Sequence, residues 1–153
     1  MTDRELMNRP NWNEYFLNIA KVVATRGTCD RLQVGAVITN SNRIISTGYN
    51  GAPNGSPHCD ENNHGMGPGH TNCQNVVHAE INAIAQAAAI GVSLRFAVMY
   101  VTVCPCINCM RVIANTGITR VFYGSEYKPD SRVPEVAAKA FVRLTHYPLT
   151  PTP

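Results

Sequence analysis

The stretch Tyr100-Val101-Thr102-Val103-Cys104-Pro105-Cys106-Ile107-Asn108-Cys109 changes character in its middle. Its first four residues close a near-continuous apolar run, Phe96 to Val103, of strand length. Such a run is what a strand buried on both faces looks like. Pro105 then fits a helix start, where a missing N–H costs little. Cys106 to Asn115 reads as a helix closed near Gly117. A strand feeding directly into a helix is the unit of a sheet covered by helices. The two cysteines, three apart at that helix start, can turn both sulfurs to one point. A helix N-terminus also favours the thiolate, the form a metal requires.

Upstream, Val76 to Ile90 has helical spacing in Val77, Ile81, Ile84, Ala85 and Ala88, and stops at Gly91. His78 and Glu80 are expected in its first turn. His78, Cys106 and Cys109 then make three nitrogen and sulfur ligands, the number a catalytic zinc takes, with the fourth position open to water. Glu80, two residues from a ligand, is left to move protons. C-x-x-C alone is often half of a structural zinc site or a redox pair. H-x-E alone is common by chance. Their conjunction, with a proline before the first cysteine and both at helix starts, is specific. The expected catalytic set is therefore Glu80 with zinc on His78, Cys106 and Cys109.

The remaining chain supplies the other elements. Asn11 to Arg26 reads as a helix with Trp12, Tyr15, Phe16, Ile19, Val22 and Val23 on its apolar face, capped by Asn11 or Asn13. Val34 to Thr39 and Arg43 to Tyr49 form a hairpin around Asn40-Ser41-Asn42. The following loop, Gly48 to Gly55, either turns the chain or holds a nucleotide. Ser56 to Asn75 is poor in apolar residues but carries His58, Cys59, His64, His70 and Cys73. Burial cannot order such a segment, and zinc is its natural pin. Thr119 to Tyr123 and Phe141 to Tyr147 are strands, Glu135 to Ala140 a short helix, and Leu149 to Pro153 a loose tail. The expected architecture is α/β: one domain over residues 1–153, a mixed five-stranded sheet sandwiched by helices.

Composition narrows the class. An apolar fraction of 44% with 15% charged residues fits a globular protein and not a disordered one. The net charge of +3 suits a small anionic substrate, and long basic runs for nucleic acid are absent. No apolar run reaches membrane-spanning length, and the first residues lack a signal-peptide core. The expected location is therefore cytoplasmic (host cytoplasm if the source is viral), where thiols stay reduced. Six cysteines in that setting point to metal more than to disulfides.

H-x-E with P-C-x-x-C is the signature of zinc-dependent nucleobase deaminases. Val34-Gly35-Ala36-Val37-Ile38, Gly48-Tyr49-Asn50-Gly51-Ala52-Pro53, His78-Ala79-Glu80-Ile81-Asn82-Ala83-Ile84 and Tyr100 to Cys109 resemble deoxycytidylate (dCMP) deaminases of bacterial and viral type, from about Trp12 to Tyr127. The resemblance implies a three-layer cytidine-deaminase-like fold and hydrolysis of dCMP to dUMP and ammonia, the supply route to dTMP. It implies a homohexamer activated by dCTP and inhibited by dTTP, with Mg²⁺ accompanying the triphosphate; dCTP is a further candidate substrate. By the same resemblance Asn50, Ala79 and Tyr127 meet the substrate, and Gly48, Tyr49, Asn50 and Gly51 belong to the regulatory nucleotide site. A second, structural zinc is expected on Cys29, Cys59, His70 and Cys73, with His58 and His64 as alternatives. Cys104 is expected to be a small buried residue beside the site. Two other readings compete. A tRNA-adenosine-type deaminase shares both motifs but should show a basic RNA surface. A non-catalytic zinc domain would not need Glu80.

Overall fold

The structure, a computed structural model, describes residues 8–59, 73 and 75–149. Its elements follow the expected order. These are α1 (Trp12–Ala24), β1 (Gly35–Asn40), β2 (Arg43–Tyr49), α2 (Ala79–Ile90), β3 (Val98–Val103), α3 (Ile107–Ile113), β4 (Arg120–Ser125), α4 (Arg132–Lys139) and β5 (Arg143–His146). The five strands form one sheet in the order β2-β1-β3-β4-β5. β1 pairs antiparallel with both β2 and β3, whereas β3, β4 and β5 run parallel. The hairpin turn places Ser41 and Asn42 at φ 48° and 58°, the left-handed pair a two-residue turn requires.

Strand alternation divides the core into two layers. Ala36, Ile38, Met99, Val101 and Val121 face one side, where α2, α3 and α4 contribute Ala79, Ala83, Ala87, Met110, Ile113, Val133 and Ala137. Val37 and Tyr100 face the other, under Phe16, Leu17 and Ala20 of α1. The result is the three-layer α/β/α sandwich.

α1 departs from the expected face. Asn11 caps it by accepting a hydrogen bond from the Glu14 amide. Its buried residues, however, are Phe16, Leu17, Ala20 and Ala24, whereas Trp12, Tyr15 and Val22 are exposed. The reason is a close approach. A Cβ at Gly35 would lie 2.0 Å from the Ala20 carbonyl oxygen. The helix backbone therefore rests on the start of β1 at Ala20 and Ala24, where only small residues fit. Trp12 stacks on Phe16 at the rim, 5.6 Å between centroids.

Phe96 and Phe141 were expected at strand starts. Both instead sit in turns before β3 and β5, exposed and at φ 63° and 58°. Phe141 ends α4: its amide donates to the Ala138 carbonyl and the next amide, Val142, to Ala137, a helix stop that glycine serves better. Its side chain is 91% exposed, so little packing is at stake. Phe141→Gly is expected to stabilise the fold by about 1 kcal/mol. Thermal unfolding checks this: the midpoint should rise by roughly 2–4 °C, and a fall would show that the ring packs against something.

Candidate active site

The site lies where β3 ends, beyond the carboxyl edge of the parallel strands, as ligand sites of such sheets do. Cys106 is the N-cap residue of α3 and His78 the N-cap residue of α2. His78 thus precedes the helix and is not within its first turn as expected. Extended backbone at both caps (ψ 152° at His78, 168° at Cys106) lets each side chain project past its helix end. His78 Nδ1 lies 3.5 Å from Cys106 Sγ and 3.4 Å from Cys109 Sγ. The three donor atoms fall within 4.8 Å of one another. One imidazole nitrogen and two sulfurs in that compass fit zinc, which favours this donor set.

The thiols already behave as a pair. The hydrogen bond between them, helped by His78, outweighs burial and brings Cys106 down to about 4. The same hydrogen bond, with burial, pushes Cys109 far up. The opposite shifts mark the two thiols as a coupled pair, and metal binding here would release protons from them. Glu80 lies in the first turn of α2 and is 4% exposed. Burial, ahead of other influences, raises its carboxyl above the usual range, the direction that suits a group which must both take and give a proton near neutral pH.

A cavity of about 550 Å³ opens onto His78, Glu80 and Cys106. Ala79, Asn50 and Tyr127 also line it, with Leu32, Val34, Val103 and Ile107 as apolar wall. Cys104 lies there too, half-buried, its thiol raised to about 12 by burial. Gly48, Tyr49 and Gly51 are not among the lining residues. Their loop instead fixes the start of α2. The Asn82 side chain donates to the Tyr49 carbonyl at 2.6 Å, and Gly51 and Val77 exchange backbone hydrogen bonds. The residue after Val77 is His78. Nothing in the periodicity of either segment signals that junction.

Asn50 is buried, and its amide braces the chain before β1. Its Oδ1 accepts from the Val34 amide at 2.8 Å and its Nδ2 donates to the Leu32 carbonyl at 2.6 Å. Asn50→Ala strands both partners, and the expected loss is about 2–4 kcal/mol. Denaturant unfolding reads it directly, and a loss under 1 kcal/mol would mean that water replaces the brace.

A second cluster contributes Cys29 and Cys73 to the wall of the same cavity. Cys29, Cys59 and Cys73 bring their sulfurs within 4.8 Å of one another, Cys59 and Cys73 3.3 Å apart. Burial and the neighbouring thiols raise Cys59 to about 12. No disulfide joins any of the six cysteines. His70 and His64 lie outside the described residues. His58 is exposed, with Nδ1 3.1 Å from the Thr28 hydroxyl. Three thiols converging in this way can hold a metal given a fourth ligand. Sequence reading did not anticipate Asp130, which lines the cavity beside Arg132. The two form an ion pair at 2.7 Å, and that partner holds the Asp130 carboxyl down to about 2.

Residues 10–125 match the model of the cytidine and deoxycytidylate deaminase zinc-binding region. The chain belongs to the cytidine and deoxycytidylate deaminase family. It is 40% identical over 138 residues to ComE operon protein 2 of Bacillus subtilis, covering 90% of this chain and 72% of that one. To the deoxycytidylate deaminase of Mycobacterium phage D29 it is 42% identical over 130 residues, covering 78% of this chain and 99% of that enzyme. Against two yeast deoxycytidylate deaminases it spans only 45% and 47% of their length. Its fold is similar to a crystal structure of dCMP deaminase from the cyanophage S-TIM5, in complex with dCMP and dUMP. The TM-score is 0.77 at 26% identity, over 91% of this chain and 98% of that one. Family membership identifies a zinc-binding deaminase region. No helix among the described residues is long and apolar enough to cross a membrane.

Proposed function

We propose that this chain hydrolyses dCMP to dUMP and ammonia. The observation that carries the proposal is the convergence of His78, Cys106 and Cys109 beside a cavity that the buried Glu80 also lines. Similarity to the phage D29 deoxycytidylate deaminase, over nearly that enzyme's whole length, supports dCMP as the substrate.

His78, Cys106 and Cys109 would hold zinc, which would supply an acidified water as nucleophile. The chain does the rest. Glu80 takes that water's proton and delivers it to N3 of the pyrimidine as C4 is attacked. It then carries the proton of the hydroxyl added at C4 to the amine, and the C4–N bond breaks to release ammonia. Burial keeps this carboxyl out of bulk water, so the proton passes between substrate atoms. The Ala79 backbone and Tyr127 border the ring, and Asn50 holds the wall behind the sugar. Cys29, Cys59 and Cys73, with His70 as fourth ligand, would hold a second, structural zinc.

The resemblance to dCMP deaminases carries the regulatory part of the proposal. dCTP activates and dTTP inhibits, with Mg²⁺ on the triphosphate, at a site that includes the Gly48 to Gly51 loop of a homohexamer. dCTP is also a candidate substrate. Ammonia release from dCMP, dCTP, cytidine and RNA adenosine, with and without dTTP, tests this alongside zinc per chain. Two zincs per chain and dTTP-sensitive dCMP turnover are expected. Turnover of RNA adenosine alone would overturn the proposal.

A further inference from the structure

Tyr127 lines the cavity, yet burial does not fix it there. It is 51% exposed, and residues 125–129 form an exposed connection between β4 and α4. Hydrogen bonds on either side of it do the fixing. The Ser125 carbonyl accepts from the Cys104 amide at 2.8 Å. That bond ties the end of β4 to the turn that carries Cys106. Glu126 then reaches back to β4, where its Oε1 accepts from the Tyr123 hydroxyl at 2.9 Å. Tyr123 is itself clamped. It is buried, and its ring stacks on His146 with 5.1 Å between centroids and 17° between planes. Its carbonyl accepts from the Tyr147 amide. Burial, and then the hydrogen bond to Glu126, pushes the phenol up to about 12, so it remains a donor at neutral pH. On the far side of Tyr127, the Asp130 carboxylate accepts from the Arg132 amide and guanidinium.

Neither Tyr123 nor Glu126 is among the residues that line the cavity. Any part they play there passes through Tyr127. We propose that the Tyr123–Glu126 hydrogen bond is a positioning device that sets the Tyr127 ring against the pyrimidine. The proposal rests on the dCMP reading and adds the residues that orient the ring bordering the substrate. A phenol bonded to a carboxylate is a charge-assisted contact, the stronger kind. Glu126 and Tyr127 are adjacent, so a turn of the chain at Glu126 carries the ring with it. A misplacement near 1 Å costs about a hundredfold in rate, and a partial loosening of the ring costs a fraction of that.

The test is a double-mutant cycle on the zinc-loaded full chain. It reads kcat/KM for dCMP in the wild type, Tyr123→Phe, Tyr127→Ala and the double variant. Tyr123→Phe keeps the stacked ring and removes only the hydroxyl. It is expected to lower kcat/KM about tenfold in the wild-type background, and less than about twofold once Tyr127 is alanine. Glu126→Ala, a surface change, should match Tyr123→Phe. Glu126→Gln keeps the acceptor oxygen and should recover most of the activity. Zinc per chain should stay as in the wild type throughout. Equal losses from Tyr123→Phe with and without the Tyr127 ring would show that the bond only braces the fold, and would overturn the proposal. Wild-type activity in Glu126→Ala would overturn it too. A wild-type protein that does not turn over dCMP overturns the functional reading and the positioning role with it, whereas additive losses in a protein that does turn it over remove the positioning role alone.

Discussion

Glu80→Gln is expected to lose about three orders of magnitude in kcat, within the range that acid–base groups contribute. The substitution keeps the shape of the side chain and removes its ability to shuttle a proton. Glu80 is not one of the three converging ligands, so zinc per chain should stay as in the wild type. Stability should not fall either. The carboxyl is buried, and burial raises it above the usual carboxylate range, so a neutral amide of the same size costs little there. The loss amounts to about 4 kcal/mol of transition-state stabilisation. Single-turnover rates with dCMP, measured beside zinc content, check both halves. A variant that keeps zinc and turns over at a wild-type rate would move the proton chemistry to another group.

Gly48→Ala is expected to damage fold and site together. An added Cβ would lie 2.3 Å from both the Ala79 carbonyl oxygen and the Ala83 amide nitrogen. These are backbone atoms of α2, which cannot step aside as the tip of a side chain can. The helix must shift as a body, taking Glu80 and the preceding His78 with it. Overpacking of this kind costs about 1–3 kcal/mol, and a displacement near 1 Å at the reacting groups costs about a hundredfold in rate. Chemical denaturation and kcat report the two effects. A variant with wild-type stability whose only defect is in its response to dCTP or dTTP would assign Gly48 to the effector and not to packing.

The metal-ligand set was legible because metal chemistry restricts it so tightly. Few residue types bind zinc, and two cysteines at a three-residue step from a helix start can face little else than a common point. Element order was legible for a similar reason: the periods of the apolar residues differ between helix and strand. The face of α1 was not. Its aromatic residues carry the larger apolar area, but Gly35 admits the helix backbone so closely that Ala20 and Ala24 occupy the interface. Apolar runs also do not mark where a strand begins, which is how Phe96 and Phe141 came to be read as strand. The Asp130–Arg132 pair lies two residues apart in a connection and has no periodicity to betray it. Cys29, Cys59 and Cys73 are far apart in the chain, and only the folded hairpin and cavity bring their sulfurs together. Family resemblance, not spacing, grouped them beforehand.

The most direct measurement of the central claim is dUMP formation from dCMP by one preparation in three states: zinc-loaded, stripped by a chelator, and reloaded with zinc. Turnover that disappears with the metal and returns with it is the predicted result. Undiminished turnover in the zinc-free protein, or none in the zinc-loaded one, would contradict a zinc-dependent dCMP deaminase built on His78, Cys106 and Cys109.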